Sequence, residues 1–379
     1  MKRRMFIAAA LASAFAGGAL AQSGPVKFAF IGELSGAGAV SSTNFRDGAL
    51  MAIDEVNAKG GILGRRIVAP VTDTQSNPGI SRAQVQKAID SDPYVILGPV
   101  FSGSVKVNMV LAQQAEIPQF TGAEAAEITQ MGNDYIFRTS FGQQVSMPKM
   151  ANFIRDGIKA KSIAFLWVNN DFGKGGRDAF FKEMASRNIK VVADVSTESG
   201  QVDFAADIVK LKAANADAIF LYTNEEESAR VLREARKQGV KVPLIGETTL
   251  IGQKVIDLAG DAANGARGHV ALTADAPIPA VTAFRDKFQA RFKYLPDHNG
   301  IKGYTAVYAI KYATQKIGKF DRKLLAKTMH GLTIKPEQEP GILMEATWDA
   351  KGDIDRISFL AEVVDGKQKV VQVLPKLGK

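Results

Sequence analysis

Cysteine is absent from all 379 residues. That excludes disulfides, a thiol nucleophile, zinc sites built on thiolates, and a lipid-modified N-terminal cysteine. Histidine is scarce: His269, His298 and His330 are the only three. A nucleophile needs a base beside it, and no Gly-x-Ser-x-Gly elbow accompanies these histidines, so each is read as a surface or packing residue. The glycines form no phosphate cradle. Gly36-Ala37-Gly38 does not extend to G-x-G-x-x-G, and no Gly-Lys-Ser/Thr loop occurs. No spacing of ligands suits a metal, and no cofactor is expected. The basic residues are scattered among acids rather than gathered with interleaved aromatics, which argues against nucleic-acid binding. Beyond the N-terminus no apolar run approaches a membrane span.

What is present begins with a targeting signal. Met1–Arg4 is basic, Phe6–Leu20 is apolar and small, and Ala19-Leu20-Ala21 is an A-x-A cleavage site. Residues 1–21 are therefore expected to be a signal peptide, with export to the periplasm as a soluble protein rather than a lipoprotein. Removing Lys2, Arg3 and Arg4 takes the formal charge from +9 to +6. The remaining length suggests two domains and a core large enough to need no staples.

Apolar runs alternate with helical patterns along the first half. Val26–Gly32, Arg66–Thr72, Tyr94–Leu97 and Ile117–Thr121 read as strands, with helices after the first three. Such alternation predicts an α/β fold with a parallel sheet. Tyr135–Phe141 reads as a short strand crossing into a second lobe. There the pattern resumes with Ser162–Val168, Lys190–Val195, Ala218–Tyr222 and Lys241–Gly246 as strands and Gly175–Arg187, Phe204–Ala214 and Glu225–Gln238 as helices. Val281–Phe292 and Ile301–Ile317 read as further helices, the second with a tyrosine stripe (Tyr304, Tyr308, Tyr312) assigned to packing. The tail, Leu343–Trp348, Ile357–Val364 and Val370–Val373, reads as strands. Glu225, Glu226 and Glu227 open a helix, where acids favour the positive end, and are read as solvated rather than catalytic.

The most informative stretch is Tyr94–Met109. A buried strand stops at Gly98-Pro99 and turns through Ser102-Gly103-Ser104 into a helix whose inner face is Val105, Met109 and Ala112. The free amides and hydroxyls of such a turn suit a carboxylate; the alternative is that Ser102 or Ser104 only caps the helix.

Several short motifs, in order, carry a family resemblance. Ser35-Gly36, Gly48-Ala49, Ala52-Ile53, Glu55-Val56-Asn57 and Gly60–Arg65 open the series. Leu97-Gly98-Pro99 with Ser102, Tyr135–Arg138, Asp171-Phe172-Gly173, Leu232–Arg236, Gly303-Tyr304, Trp348-Asp349 and Gly352-Asp353 continue it. Together they resemble periplasmic substrate-binding proteins of the Leu/Ile/Val-binding type, which feed ABC importers. The resemblance implies two doubly wound parallel-sheet lobes joined by three hinge crossings, near Phe141, Gly268 and Thr347. One lobe would comprise 22–141 with 269–347, the other 142–268 with 348–379.

It also implies a ligand site. In the first lobe Ser102, with Phe101, Gly103 and Ser104 beside it, and the loop Gly122-Ala123-Glu124 would hold the ligand's carboxylate and ammonium. Phe172, Asn224, Glu225, Glu247 and Thr248 would contact it from the second lobe, and Ser41 and Asn299 complete the set. The family's branched-chain binders often carry a threonine where this chain has Glu124. That carboxylate could pair with the ligand's ammonium or with a nearby Lys or Arg, or could point to solvent; buried without a partner it would be destabilising. The implied protein is a monomer, not an enzyme, that delivers a branched-chain or other apolar amino acid to permease subunits. Aromatic or short-chain carboxylates are the alternative ligands. An exported hydrolase with a base near Ser102 or Ser104 is the alternative of another class.

Overall fold

The computed structural model describes residues 24–377; the expected signal peptide, 1–21, lies outside them. Elements in the first half are β1 (Val26–Gly32), α1 (Ala39–Ala58), β2 (Ile67–Val68), β3 (Val71–Asp73), α2 (Pro78–Asp90), β4 (Val95–Leu97), α3 (Ser102–Gln114), β5 (Gln119–Thr121), α4 (Glu127–Gln130) and β6 (Ile136–Arg138). β1, β4, β5 and β6 lie side by side and parallel, and β2 and β3 pair in succession along the free edge of β1. The strand expected over Arg66–Thr72 is thus two short ones. Pro70 separates them, since it has no N–H to give a ladder.

The chain continues as α5 (Gln143–Asn152), β7 (Ser162–Val168), α6 (Asp171–Ser186), β8 (Lys190–Thr197), α7 (Ala205–Ala213), β9 (Ala218–Tyr222), α8 (Glu225–Lys237), β10 (Leu244–Gly246), α9 (Thr248–Ile251), α10 (Gln253–Ala259) and β11 (Arg267–Val270). After these come α11 (Pro279–Phe292), α12 (His298–Ile317), α13 (Arg322–Met329), β12 (Thr333–Ile334), β13 (Ala346–Trp348), β14 (Ile354–Asp355), β15 (Ser358–Val364) and β16 (Lys367–Leu374). The second sheet runs β8-β7-β9-β10-β11-β15-β16, parallel except for the last two strands. Both parallel sets share one order: the second strand on one side of the first, the third, fourth and fifth on the other. β11 extends beyond the crossing expected at Gly268, because His269 and Val270 pair with Leu360 and Phe359 of β15.

α12 lies directly on α1. A Cβ at Gly48 would fall 1.9 Å from the Gly300 carbonyl oxygen, and one at Gly303 2.0 Å from that of Phe45, so only glycine permits this approach. The tyrosine stripe is packing, as its spacing indicated: the Tyr304 and Tyr308 hydroxyls both donate to Glu55 Oε2, at 2.6 and 2.7 Å. Beside the end of β6, β12, β13 and β14 form a small antiparallel sheet. Arg138, at the end of β6, is fully buried against Asp353 at 2.6 Å, and Trp348 Nε1 donates to the Arg138 carbonyl at 2.8 Å.

Candidate functional site

In a doubly wound sheet, ligands bind beyond the carboxyl ends of the strands, where the connections diverge to opposite sides. Here that point lies between β1 and β4 in one lobe and between β7 and β9 in the other. The loops leaving these strands face each other and line a cavity of about 320 Å³. Val100, Phe101, Ser102, Gly103 and Ser104 come from the β4 loop and the start of α3. Asn170, Asp171 and Phe172 come from the β7 loop, and Asn224 and Glu225 from the β9 loop. Buried Glu33 ties the β4 loop to α1, its Oε2 accepting from Ser42 Oγ at 2.6 Å and from the Val100 amide at 3.1 Å.

Several helices begin at this cavity, and three of them, α6, α8 and α12, have their first turn capped from within. Asn170 Oδ1 accepts from Gly173 N in α6, Glu227 Oε2 from Asn224 N at the start of α8, and Asp297 Oδ1 from Asn299 N in α12. α3 has no side-chain cap. Ser102 is its first residue rather than its cap, and the Ser102 hydroxyl accepts from Ala125 N at 3.2 Å, tying the helix to the 122–126 loop. Ser104 Oγ is buried and has no hydrogen-bond partner among the described residues. The positive end of α3 is thus open to an anion, with two serine hydroxyls in its first turn.

Acids and one buried cation complete the wall. Lys302 Nζ lies 2.8 Å from Glu124 Oε1 and 3.3 Å from the Gly122 carbonyl oxygen. Glu225 Oε1 accepts from Asn299 Nδ2 at 3.3 Å, a bond between lobes, and at the rim Lys106 of α3 meets Asp171 of α6 at 2.9 Å. Burial, and next the neighbouring Asp297, push Glu225 up to about 7. Burial likewise lifts Asp297 to about 6. His298 is held well below the usual histidine range by burial and by Lys302, so it sits in the wall as neutral imidazole. No group of side chains suited to a metal ion occurs among the described residues.

The periplasmic binding protein family model matches residues 25–368. The chain belongs to that family. It is 28% identical over 360 residues to the leucine-, isoleucine-, valine-, threonine-, and alanine-binding protein of Pseudomonas aeruginosa, covering 94% of each chain. It is 26% identical over 361 residues to the Leu/Ile/Val-binding protein of Escherichia coli, covering 95% of each. Among solved structures, a branched-chain amino acid transporter substrate-binding protein from Streptococcus pneumoniae in complex with isoleucine superposes with a TM-score of 0.84 at 23% identity, over 93% of this chain and 99% of that one. A solute-binding protein of an ABC transporter from R. palustris in complex with benzoate gives 0.85 at 21% identity, over 94% and 98%.

In this periplasmic binding protein, Ser41, Phe101, Ser102, Gly103, Ser104, Gly122, Glu124, Phe172, Asn224, Glu225 and Asn299 all line the cavity. Three expected residues do not. The Ala123 carbonyl accepts from Arg138 and from Ser140 instead. Glu247 turns to His269 Nδ1 at 2.9 Å, and Thr248 Oγ1 donates to the His269 carbonyl; Thr249 takes the place at the wall. The reading of the Glu225–Glu227 run as solvated also fails: Glu225 and Glu227 are buried, the second because it caps α8. Lys302 and Lys174 line the site without having been singled out; Asp171 was quoted only within a motif, and His298, read as a surface or packing residue, lies in the wall as well. Lys302 had a signal in the sequence, a lysine between Ile301 and Gly303 in a run, 298–310, with no other Lys, Arg, Asp or Glu.

Proposed function

We propose that this periplasmic binding protein captures a small α-amino acid in the inter-lobe cleft and presents it to the permease subunits of an ABC importer. It would work as an exported, soluble monomer, with no bond made or broken. The observation that carries this reading is the polarity of the cleft. The uncapped start of α3, with Ser102 and Ser104, offers a carboxylate its amides and hydroxyls, while Glu225 and Glu124 offer an ammonium its counter-charge. The names of the relatives make leucine, isoleucine, valine, threonine and alanine the first ligands to test. The hydrolase alternative finds no support in the geometry, since neither Ser102 nor Ser104 is hydrogen-bonded to a base among the described residues.

A second reading, a carboxylate without an ammonium, is favoured by one feature: Glu225 at about 7 is partly neutral at physiological pH. The two readings have opposite pH dependence. An ammonium prefers ionised Glu225, so its binding releases a proton and affinity rises as pH climbs through 7. A bare carboxylate prefers protonated Glu225, so its affinity falls over the same range. A thermal-shift screen of L-amino acids and benzoates identifies the ligand, and calorimetric titration at pH 6 and 8 then reads the sign. If no amino acid raises the midpoint, the first reading fails; Ser102→Ala that binds as tightly as the wild type removes the assigned pocket.

A further inference from the structure

We infer that Gln143 is a positioning residue whose side-chain amide couples the Glu124 loop of the first lobe to the Phe172 turn of the second, and so sets how firmly the cleft stays shut. The inference rests on the reading of the cleft as a binding site, and Gln143 itself does not line the cavity. It is the first residue of α5, immediately after the chain crosses between sheets, and it is fully buried.

Both ends of the amide are used, each toward a different lobe. Oε1 accepts from the Ala126 amide at 3.3 Å, and the backbone N–H donates to the Glu124 carbonyl at 2.9 Å; both partners belong to the loop after β5. Nε2 donates to the Phe172 carbonyl at 2.7 Å and to the Tyr222 hydroxyl at 2.9 Å, both in the second lobe. The Phe172 ring stacks on Tyr222 with centroids 4.2 Å apart. One side chain therefore joins the loop that carries an acid of the cleft to the aromatic that covers it.

The start of α6 is shaped around this contact. A Cβ at Gly175 would lie 2.5 Å from Gln143 Oε1, and one at Gly176 2.0 Å from the Tyr222 ring. Neither leaves room for a side chain while Phe172 stays in place. A buried leucine would fill the same volume as Gln143, yet only an amide offers an acceptor on one side and two donors on the other. Opening the lobes exchanges these mutual hydrogen bonds for bonds to water, which opposes opening by their net worth.

The test compares wild type with Gln143→Leu, Gln143→Glu and Tyr222→Phe. Small-angle scattering of the unliganded proteins comes first, because it needs no ligand: the Leu and Glu variants are expected to have a larger radius of gyration than wild type. Stopped-flow binding follows, with the L-amino acid that ranks first in the screen as probe. Gln143→Leu removes three neutral side-chain hydrogen bonds, to Ala126, Phe172 and Tyr222, which predicts dissociation at least roughly tenfold faster, with association little changed. Tyr222→Phe, which removes one acceptor, should fall between that variant and wild type. A merely structural role would lower the unliganded melting temperature without separating the two rates. Variants with wild-type scattering and wild-type dissociation overturn the inference. If wild type itself binds no amino acid, the functional reading fails instead, and scattering still decides the coupling.

Discussion

Lys302 is buried on α12, with its ammonium between Glu124 and the Gly122 carbonyl. Removing one member of a buried pair strands the other, which destabilises far more than the pair's net worth. Lys302→Met should therefore lower unfolding stability by about 3 kcal/mol, read from urea denaturation, and adding Glu124→Gln should restore at least half of that loss. A double variant no more stable than the single one would mean that the pair is not coupled. Glu225 makes a prediction of the other sign. Its carboxyl is held at about 7 against an ordinary 4.5, so between those values the unfolded chain releases a proton that the folded one keeps. Stability of the unliganded protein consequently falls as pH rises through this window, by about 3 kcal/mol at most from this group. Asp297, at about 6, acts in the same direction over a lower range. Glu225→Gln should flatten the slope of melting temperature between pH 5 and 7. At this scale the sequence was partly legible. That Glu124 requires a partner followed from burial energetics, but the partner is 178 residues away, and no local pattern names it.

Helices expose a different limit of sequence reading. α2, β7 and β9 fall where the sequence placed them, the two strands because each is a continuous apolar run buried on both faces of the sheet. α5 escaped notice because Pro148 sits inside it, a residue that normally ends helices, and its buried residues include Gln143, Ser146 and Lys149. α13 is only eight residues long, with Leu325, Ala326 and Met329 as its buried positions, too few to establish a period. α12 was legible as a helix but not in its closeness to α1, which depends on Gly48 and Gly303. Gly303→Ala is a pointed test. Alanine in an exposed helix interior gains about 1 kcal/mol over glycine. Here its Cβ would lie 2.0 Å from the Phe45 carbonyl oxygen, so the helices must part, and with them His298, Asn299 and Lys302 move away from Ser41. We expect a net loss of about 2 kcal/mol together with weaker ligand binding. A more stable Gly303→Ala protein would show that the close crossing is not under constraint.

Across the whole molecule, two successive sets of alternating strands and helices were readable from the sequence, whereas their strand order and the way the crossings are fastened were not. That information is carried by side chains distant in sequence. Arg138 belongs to the first crossing and Asp353 to the third, and their ion pair is almost entirely removed from solvent. The same guanidinium donates to the carbonyls of Ala123 at 2.6 Å and Ala126 at 3.2 Å. One buried cation thus anchors both the hinge and the loop that carries Glu124 and whose Ala125 amide holds the Ser102 hydroxyl. Asp353→Asn keeps the shape of the partner and removes its charge, leaving a buried guanidinium uncompensated. The expected result is a loss of about 3 kcal/mol in urea denaturation, with calorimetry showing weaker ligand binding because the 123–126 loop loses its fixed support. A variant that is destabilised but binds normally would confine Arg138 to the hinge. One unchanged in both measurements would mean that the crossings are held by their backbone and apolar contacts alone.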